Sequence, residues 1–347
     1  MFVGMSGGVD SSVTAALLKE RGFDVTGVYM KNWSKDLPGF DCPWKEDFQD
    51  AKRVAVQLGI DFKMYDFEKE YRAQVVDYMV EGYKAGITPN PDIMCNQEVK
   101  FKLFLNAALD DGADMIATGH YARISDGQLL AGLDENKDQS YFLYRVTEDS
   151  LRKSLMPIGE MEKPEVRKIA GQLGLATADK KDSQGICFVG KVGIKEFLLA
   201  ELGEQPHGAI IDETGKTIGE HDGALFYTIG QRHGLNVGGG LPYYVVGKDM
   251  DKNEVYVTTD LNDERLWWQK MSLTSVHWIN GVPPTGDYQV RTRYRAPLVG
   301  CRLAVNDDGT AQLLLQDAVR AVTPGQSAVI YDGERVVGGG IVRSALD

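Results

Sequence analysis

The spacing of apolar residues changes character near residue 190, and that change constrains the fold more than any single motif. Before it, short apolar runs alternate with amphipathic helical stretches. Phe2-Val3 opens a very short strand, a Gly/Ser turn follows, and Ser11–Arg21 has helical spacing with Gly22 as its C′ residue. Val25–Met30 reads as a strand, Phe48–Leu58 as a helix burying Val54, Ala55 and Leu58, and Ile60–Tyr65 as the next strand. Helical patterns cover Lys69–Lys84 and Gln97–Asp110, and Asp114–Thr118 is a strand running into Gly119-His120-Tyr121. Such repeated strand–helix units predict a mostly parallel sheet with helices on both faces and right-handed crossovers.

Helices at Lys163-Pro164 and over Ile194–Leu202 precede a different regime. From Gly208 onward the runs are short, β-rich and separated by Gly/Asp turns: Ala209–Asp212, Tyr243–Lys248 and Glu254–Thr259. Tyr288–Tyr294, Cys301–Val305, Ala311–Leu315, Ala328–Tyr331 and Val336–Val342 continue the pattern. The last group fits a closed or nearly closed antiparallel sheet. The expected fold class is therefore α/β, with an N-terminal parallel-sheet domain over 1–190. A small central β-containing domain over 191–262 and a C-terminal antiparallel β-barrel over 263–347 complete it.

Charge follows the same division. The 347 residues carry 38 Lys+Arg and 50 Asp+Glu, a net −12, which argues against indiscriminate coating of nucleic acid or anionic membrane. Residues 263–347 hold 9 of each sign, so 29 basic residues face 41 acidic ones in 1–262 and the whole excess lies there. Arg291, Arg293, Arg295 and Arg302 occur with no intervening acid, as a phosphate-facing strand or a solvated barrel strand would have them. No apolar run reaches the roughly 18 residues of a membrane helix, and the start lacks a basic stretch followed by an apolar one. Four widely spaced cysteines do not make a disulfide scaffold. A cytoplasmic protein is expected, monomeric by default.

Ser6-Gly7-Gly8-Val9-Asp10-Ser11-Ser12 lies between the first strand and first helix. Adjacent glycines allow a sharp turn and close backbone approach, and hydroxyls and amides at a helix start can surround a phosphate. The lysine of a Walker A loop is absent, as is the G-x-G-x-x-G dinucleotide pattern. Cys95, in Asn90-Pro91-Asp92-Ile93-Met94-Cys95-Asn96, is placed just before a long helix, where the dipole favours thiolate, with Asp92 three residues earlier. Cys187 lies in a polar, glycine-containing loop. Singly, each is as consistent with an inert buried thiol; together they suit thiol exchange through a mixed disulfide or persulfide. No CxxC occurs, and Cys42 and Cys301 read as structural.

SGGVDSS resembles the pyrophosphate-binding loop of the ATP pyrophosphatase (PP-loop) superfamily. The ordered set GMSGGVDSS (4–12), NPDIMCN (90–96), ATGHYAR (117–123), KDQSYFL (137–143), KDSQGICFVG (181–190), YTIGQRHG (227–234) and RTRYR (291–295) closely resembles the bacterial tRNA-specific 2-thiouridylase family. The resemblance implies ATP-dependent 2-thiolation of the wobble uridine at tRNA position 34: adenylation of O2, then sulfur transfer from a cysteine persulfide, with release of AMP and pyrophosphate. It implies ATP contacts from Gly4, Met5, Ser6, Gly7, Gly8, Val9, Asp10, Ser11, Ser12, Met30 and Gly119, with Mg²⁺ at Asp10. Cys187 would carry the persulfide, Cys95 would open it and leave a transient Cys95–Cys187 disulfide, and Asp92 would transfer a proton. Contacts to the tRNA anticodon stem-loop are implied for Asn90, Pro91, Asp92, His120, Lys137, Asp138, Gln139, Arg293, Tyr294 and Gln326. A sulfur-carrier or cysteine desulfurase relay protein is the implied partner.

The chemistry is coherent with those residue types. A carbonyl is a poor electrophile until its oxygen becomes a leaving group, thiolates and persulfides are strong nucleophiles near neutrality, and a stacked base must be extruded to be modified. YTIGQRHG has no chemical role of its own and reads as an RNA-facing turn or a domain junction. Only five residues precede Ser6, shorter than such a first strand normally is, so an omitted start or a trimmed edge is expected. The alternatives are another PP-loop ligase with a nitrogen nucleophile, which needs no cysteine pair, and a non-catalytic tRNA-binding module.

Overall fold

The computed structural model describes residues 1–37, 42–181, 193–235, 237–238, 240 and 242–345. Its first sheet is wholly parallel, in the order β3-β2-β1-β4-β7. These are β1 (Phe2–Gly4), β2 (Thr26–Lys31), β3 (Asp61–Asp66), β4 (Ile116–Ala117) and β7 (Ser154–Leu155), with a hairpin of β5 (Ala122–Ser125) and β6 (Gln128–Ala131) inserted between the last two. Three residues suffice for β1 because it is central rather than an edge: it pairs with β2 on one side and β4 on the other.

The period of two sorts its neighbours into two cores. Phe2, Val28 and Ile116 join Phe101, Phe104 and Ala108 on one face. Val3, Tyr29 and Ala117 join Val13, Val54 and Val166 on the other. The second core receives α1 (Val9–Glu20), α2 (Trp44–Leu58) and the helix Lys163–Gln172. Helices thus cover both faces, as a parallel sheet requires. Leu18 is fully buried here, where truncation to alanine costs roughly 2–5 kcal/mol.

Two helical runs, over 68–84 and 91–110, contain π-helical middles at Arg72–Val76 and Cys95–Phe104. The second starts earlier than its apolar spacing predicts. The Asn90 side chain accepts from the Ile93 amide at 3.4 Å and Pro91 occupies the first helical position, a strong start signal. Cys95 therefore sits a turn inside the helix and opens its π segment, and Asp92 takes the first-turn position. The dipole effect falls off within that turn, so it bears on Asp92 more than on Cys95.

The central unit is a four-stranded sheet in the order Tyr244–Asp249, Glu254–Thr258, Gly208–Ile211, Thr217–His221, its middle pair parallel. In the C-terminal unit, Trp267–Trp278, Ala311–Arg320, Val299–Val305, Gly286–Arg291, Ser327–Asp332 and Arg335–Ala345 follow one another and close through the first and last. Its interior holds Met271, Leu303, Leu313 and Ile330. The hairpin β5–β6 extends this sheet, pairing Leu130 with Arg335 and Leu129 with Val336. The strand expected over Tyr288–Tyr294 instead ends at Arg291, and Arg295 has φ +62°. Arg293 and Arg295 therefore lie beyond the strand that ends with Arg291, and the three do not share one strand face.

Candidate active site

Gly7 has φ +77°, and a Cβ there would lie 2.3 Å from the Asp47 carbonyl oxygen. Gly8 is the extended N-cap of α1. The serines turn inward. The Ser12 hydroxyl, with no exposure, donates to the Gly8 carbonyl at 2.8 Å and accepts from Thr177 at 2.9 Å. The Ser11 hydroxyl accepts from the Ser6 amide at 3.2 Å and reaches the Gly8 carbonyl at 3.2 Å. The hydroxyls of Ser11 and Ser12 thus brace the loop. What remains for an anion is the exposed Ser6 and the first-turn amides, which no helix satisfies internally. Gly119 ends the β4 segment against this turn: a Cβ on it would stand 2.8 Å from the Ser11 nitrogen. Met5 and Val9 are core residues, whereas Met30 is half-buried, its methyl 3.0 Å from where a Gly4 Cβ would be. The Asp47 backbone fills the side of Gly7 where a Cβ would stand, so the groups that fit the phosphates of ATP are the exposed Ser6 and the first-turn amides.

Asp10 is not a bare metal ligand. Both its oxygens accept from the Lys163 ammonium, at 2.7 and 2.8 Å, and Tyr121 donates to it at 2.8 Å. A carboxylate so compensated does not fit as the anchor of Mg²⁺, and no group of three or more His, Cys, Asp or Glu is placed to hold a metal among the described residues. Lys163 is buried, its amide donates to Asp134 at 2.9 Å, and it brings a positive charge to the phosphate loop. Its sequence signal was only that of a helix start beside Pro164; the partner lies 153 residues away.

A chain of contacts links this loop to the cysteine segment. His120 follows Gly119 and is buried, with Nδ1 2.8 Å from the Thr118 hydroxyl and Nε2 3.4 Å from the Lys100 ammonium. An ammonium has no lone pair to offer, so Nε2 is the acceptor and Nδ1 carries the hydrogen. Burial, with Lys100 adding to it, holds this imidazole well below its usual range and neutral. Lys100 also acts on Asp92, whose half-buried carboxyl is pushed up by desolvation and drawn partly back by that ammonium. A carboxyl that keeps its proton more readily suits proton transfer. Cys95 is buried on the same helix, and its neighbour Asn96 donates to the Phe142 carbonyl at 3.2 Å. Cys187, its loop and the proposed disulfide lie outside the described residues. Cys301 is a barrel-core thiol pushed up to about 12 by burial, and burial also raises Cys42.

The residues expected to touch RNA are mostly engaged with protein. Asp138 is buried, pairs with Arg291 at 2.8 Å and accepts from the Gly132 and Ser140 amides. Gln139 exchanges bonds with the Tyr121 backbone, at 2.8 and 2.9 Å. Arg293 Nη2 reaches the Ile229 and Ala321 carbonyls and the Thr323 hydroxyl, at 3.1, 2.6 and 2.8 Å. Tyr294 packs on Phe142, ring centroids 4.6 Å apart, and Gln326 donates to the Thr88 carbonyl at 2.8 Å. Asp138 and Arg293, expected as RNA contacts, here join parts of the chain far apart in sequence. YTIGQRHG proves to be such a joint as well, through Thr228, whose hydroxyl meets that of Thr88 at 3.2 Å, and through Ile229.

Three family models match in succession: a tRNA methyl transferase HUP domain over 1–191, a tRNA methyl transferase PRC-barrel domain over 195–259, and an aminomethyltransferase β-barrel domain over 268–342. The chain is 49% identical to the tRNA-specific 2-thiouridylase MnmA of Bacillus subtilis (strain 168), over 98% of this chain and 94% of that one. It is 48% identical to the protein of the same name from Lacticaseibacillus paracasei, over 99% and 94% respectively. The chain belongs to the tRNA-specific 2-thiouridylase family. The Ser6–Ser12 loop with Lys163, and Lys100 with the Asp92–Cys95 turn, meet through Gly119 and His120 at the ends of β1 and β4 and along the helix over 91–110. No helix among the described residues is long and apolar enough to cross a membrane.

Proposed function

We propose that this protein is a tRNA-uridine 2-sulfurtransferase that acts on the wobble uridine at position 34 of tRNA. ATP would supply the adenylyl group that turns uridine O2 into a leaving group, and Mg²⁺ carried by its phosphates would share their charge. The amides at Gly7, Gly8 and Val9 and the Ser6 hydroxyl bind the phosphates, while Lys163, held by Asp10, adds positive charge beside them. Gly119 lets the strand end approach the loop. Asn90 and Pro91 present the base to Asp92, which moves the proton. Cys187 receives sulfur as a persulfide from a relay protein and delivers it to C2. The outer sulfur bonds to C2 as AMP leaves with O2, and the Cys95 thiolate attacks the Cys187 sulfur, breaking its bond to the transferred sulfur. This leaves the thiocarbonyl on the base and a Cys95–Cys187 disulfide that a reductant must reopen. The cellular setting of this reading is the cytoplasm, where tRNA and the relay protein meet it.

What supports this reading most is the continuity from Ser11 through Gly119, His120 and Lys100 to the helix bearing Asp92 and Cys95, in a chain whose whole length aligns with the family. Mass spectrometry of nucleosides from a reaction of tRNA, ATP, Mg²⁺ and a persulfide donor tests it. 2-Thiouridine at position 34 is the expected product. Cys187→Ser should stop its formation while ATP-dependent pyrophosphate release persists; thiolation retained in that variant would sink the cysteine mechanism.

A further inference from the structure

Three units of the chain converge on one backbone strap, Thr88-Pro89, immediately before Asn90-Pro91-Asp92. From the barrel, the Pro324 carbonyl accepts from the Thr88 amide at 3.0 Å. Gln326 Nε2 donates to the Thr88 carbonyl at 2.8 Å and approaches the Pro89 carbonyl at 3.4 Å. Gly325 between them has φ +92°, and a Cβ there would be 2.8 Å from the Thr88 nitrogen. From the central unit, the Thr228 hydroxyl meets the Thr88 hydroxyl at 3.2 Å. From below, the helix Asp77–Lys84 packs so closely that a Cβ on Gly82 would be 2.8 Å from the Pro89 ring.

The strap has little freedom to pass on. Pro89 and Pro91 fix two of the next backbone dihedrals, Asn90 caps the helix it begins, and Cys95 lies one turn further along. A displacement at Thr88 is therefore transmitted to Asp92 and Cys95 rather than absorbed. Both Gln326 contacts go to main-chain carbonyls of the strap itself.

We propose that Gln326 and the Pro324–Gln326 turn are positioning residues, by which the barrel and the central unit set the place of Asp92 and Cys95. The proposal rests on the functional reading above only in taking those two residues as the reacting ones. Barrel and catalytic helix then form one mechanical unit, and the reach of the barrel contributes to rate rather than only to tRNA affinity.

Gln326→Glu keeps the size and removes both N–H donors, setting a carboxylate against two carbonyl oxygens. Thr228→Val removes the central unit's bond to Thr88 and serves if the first variant fails to fold. Each is compared with the full-length wild type in three measurements: 2-thiouridine formation at saturating tRNA, tRNA Kd, and the rate of Cys95 alkylation by iodoacetamide, followed by peptide mass spectrometry. Gln326→Glu should lower the rate at saturation by about 10-fold, in keeping with the cost of sub-ångström misplacement. That fall is read at saturating tRNA, so it stands apart from any change in Kd, and Cys95 should be alkylated several-fold faster. A weakened Kd with an unchanged saturated rate and unchanged alkylation would make Gln326 an RNA contact and overturn the proposal. If the wild type makes no 2-thiouridine, the functional reading fails on its own. The alkylation rates still decide the positioning claim: acceleration upholds it, and equality ends it.

Discussion

In the Ser6–Ser12 loop the side chains of Ser11 and Ser12 bind the loop to itself and leave the backbone amides for a ligand. In the Arg291–Arg295 run the side chains bind other parts of the same protein. Arg291 goes to Asp138, Arg293 to Ile229, Ala321 and Thr323, and Arg295 to the Asn136 carbonyl. Both regions are dense in polar residues, and the physical difference is what stands opposite. A glycine with positive φ against a carbonyl allows only a bare backbone, and a bare backbone at a helix start attracts an anion. An arginine offers five donors, and where carbonyls or a carboxylate lie within reach during folding it is satisfied before any RNA arrives. Basic composition in the barrel thus becomes an assembly device first.

The strongest way to break that comparison is at Asp138. Its side chain is 4% exposed and that of Arg291 14%, so Asp138→Ala strands a guanidinium in the interior. A loss of about 3–5 kcal/mol is expected, measured by denaturant unfolding with the slope checked for two-state behaviour. A loss below about 1 kcal/mol would fit a screened surface pair and return Arg291 to the pool of RNA contacts. Gly7→Ala tests the other region. The forced φ and the collision with the Asp47 carbonyl should cost roughly 1–3 kcal/mol and abolish ATP-dependent pyrophosphate release. Intact release would mean the phosphates bind elsewhere.

A smaller effect separates the arginines themselves. Arg302 is 63% exposed and pairs with the 76% exposed Asp287 at only 3.5 Å, so its charge is available to RNA. Arg302→Ala should leave stability within about 0.5 kcal/mol and reduce the slope of log Kd against log salt by about 1. Arg293→Ala should do the reverse, costing about 1–3 kcal/mol as its acceptors lose their donor while the slope holds. Exchanged outcomes would place the RNA face on Arg293.

Long periodic elements were legible in the residues. The helix Ile194–Leu202 and four strands of the parallel sheet fall within a residue or two of their expected bounds because local spacing determines them, whereas the two-residue strand Ser154–Leu155 is too short to show any spacing. Trp267–Trp278 was missed because its period of two is interrupted: the pairing register shifts and Ser275 has φ +47°. The site was legible where a backbone constraint writes itself into glycines, as at Gly7. Lys163 and Arg293 were opaque because a charged side chain does not encode its partner when the fold brings that partner from far along the chain. The Asn90 cap was visible in principle: Asn-Pro-Asp is a helix start, and reading it so would have placed Cys95 inside the helix.

The subtlest prediction concerns Asp92, where burial raises the carboxyl above its ordinary value of 3.8 and Lys100 lowers it in part. Because the folded state holds that proton more tightly than the unfolded state, the carboxyl weakens the fold as pH rises through the interval above 3.8. Below that interval both states are protonated and the difference disappears. Asp92→Asn removes the ionisation while keeping the shape. The variant should therefore melt above wild type at pH 7, with an advantage that shrinks as pH is lowered towards about 4, even as its 2-thiouridine yield falls. An advantage independent of pH would mean that Asp92 is not ionising against a desolvating wall. The proton-transfer role would then have lost the physical property that recommends it, and the contrast between a site held ready for a ligand and a barrel tied to its own chain would rest on the phosphate loop alone.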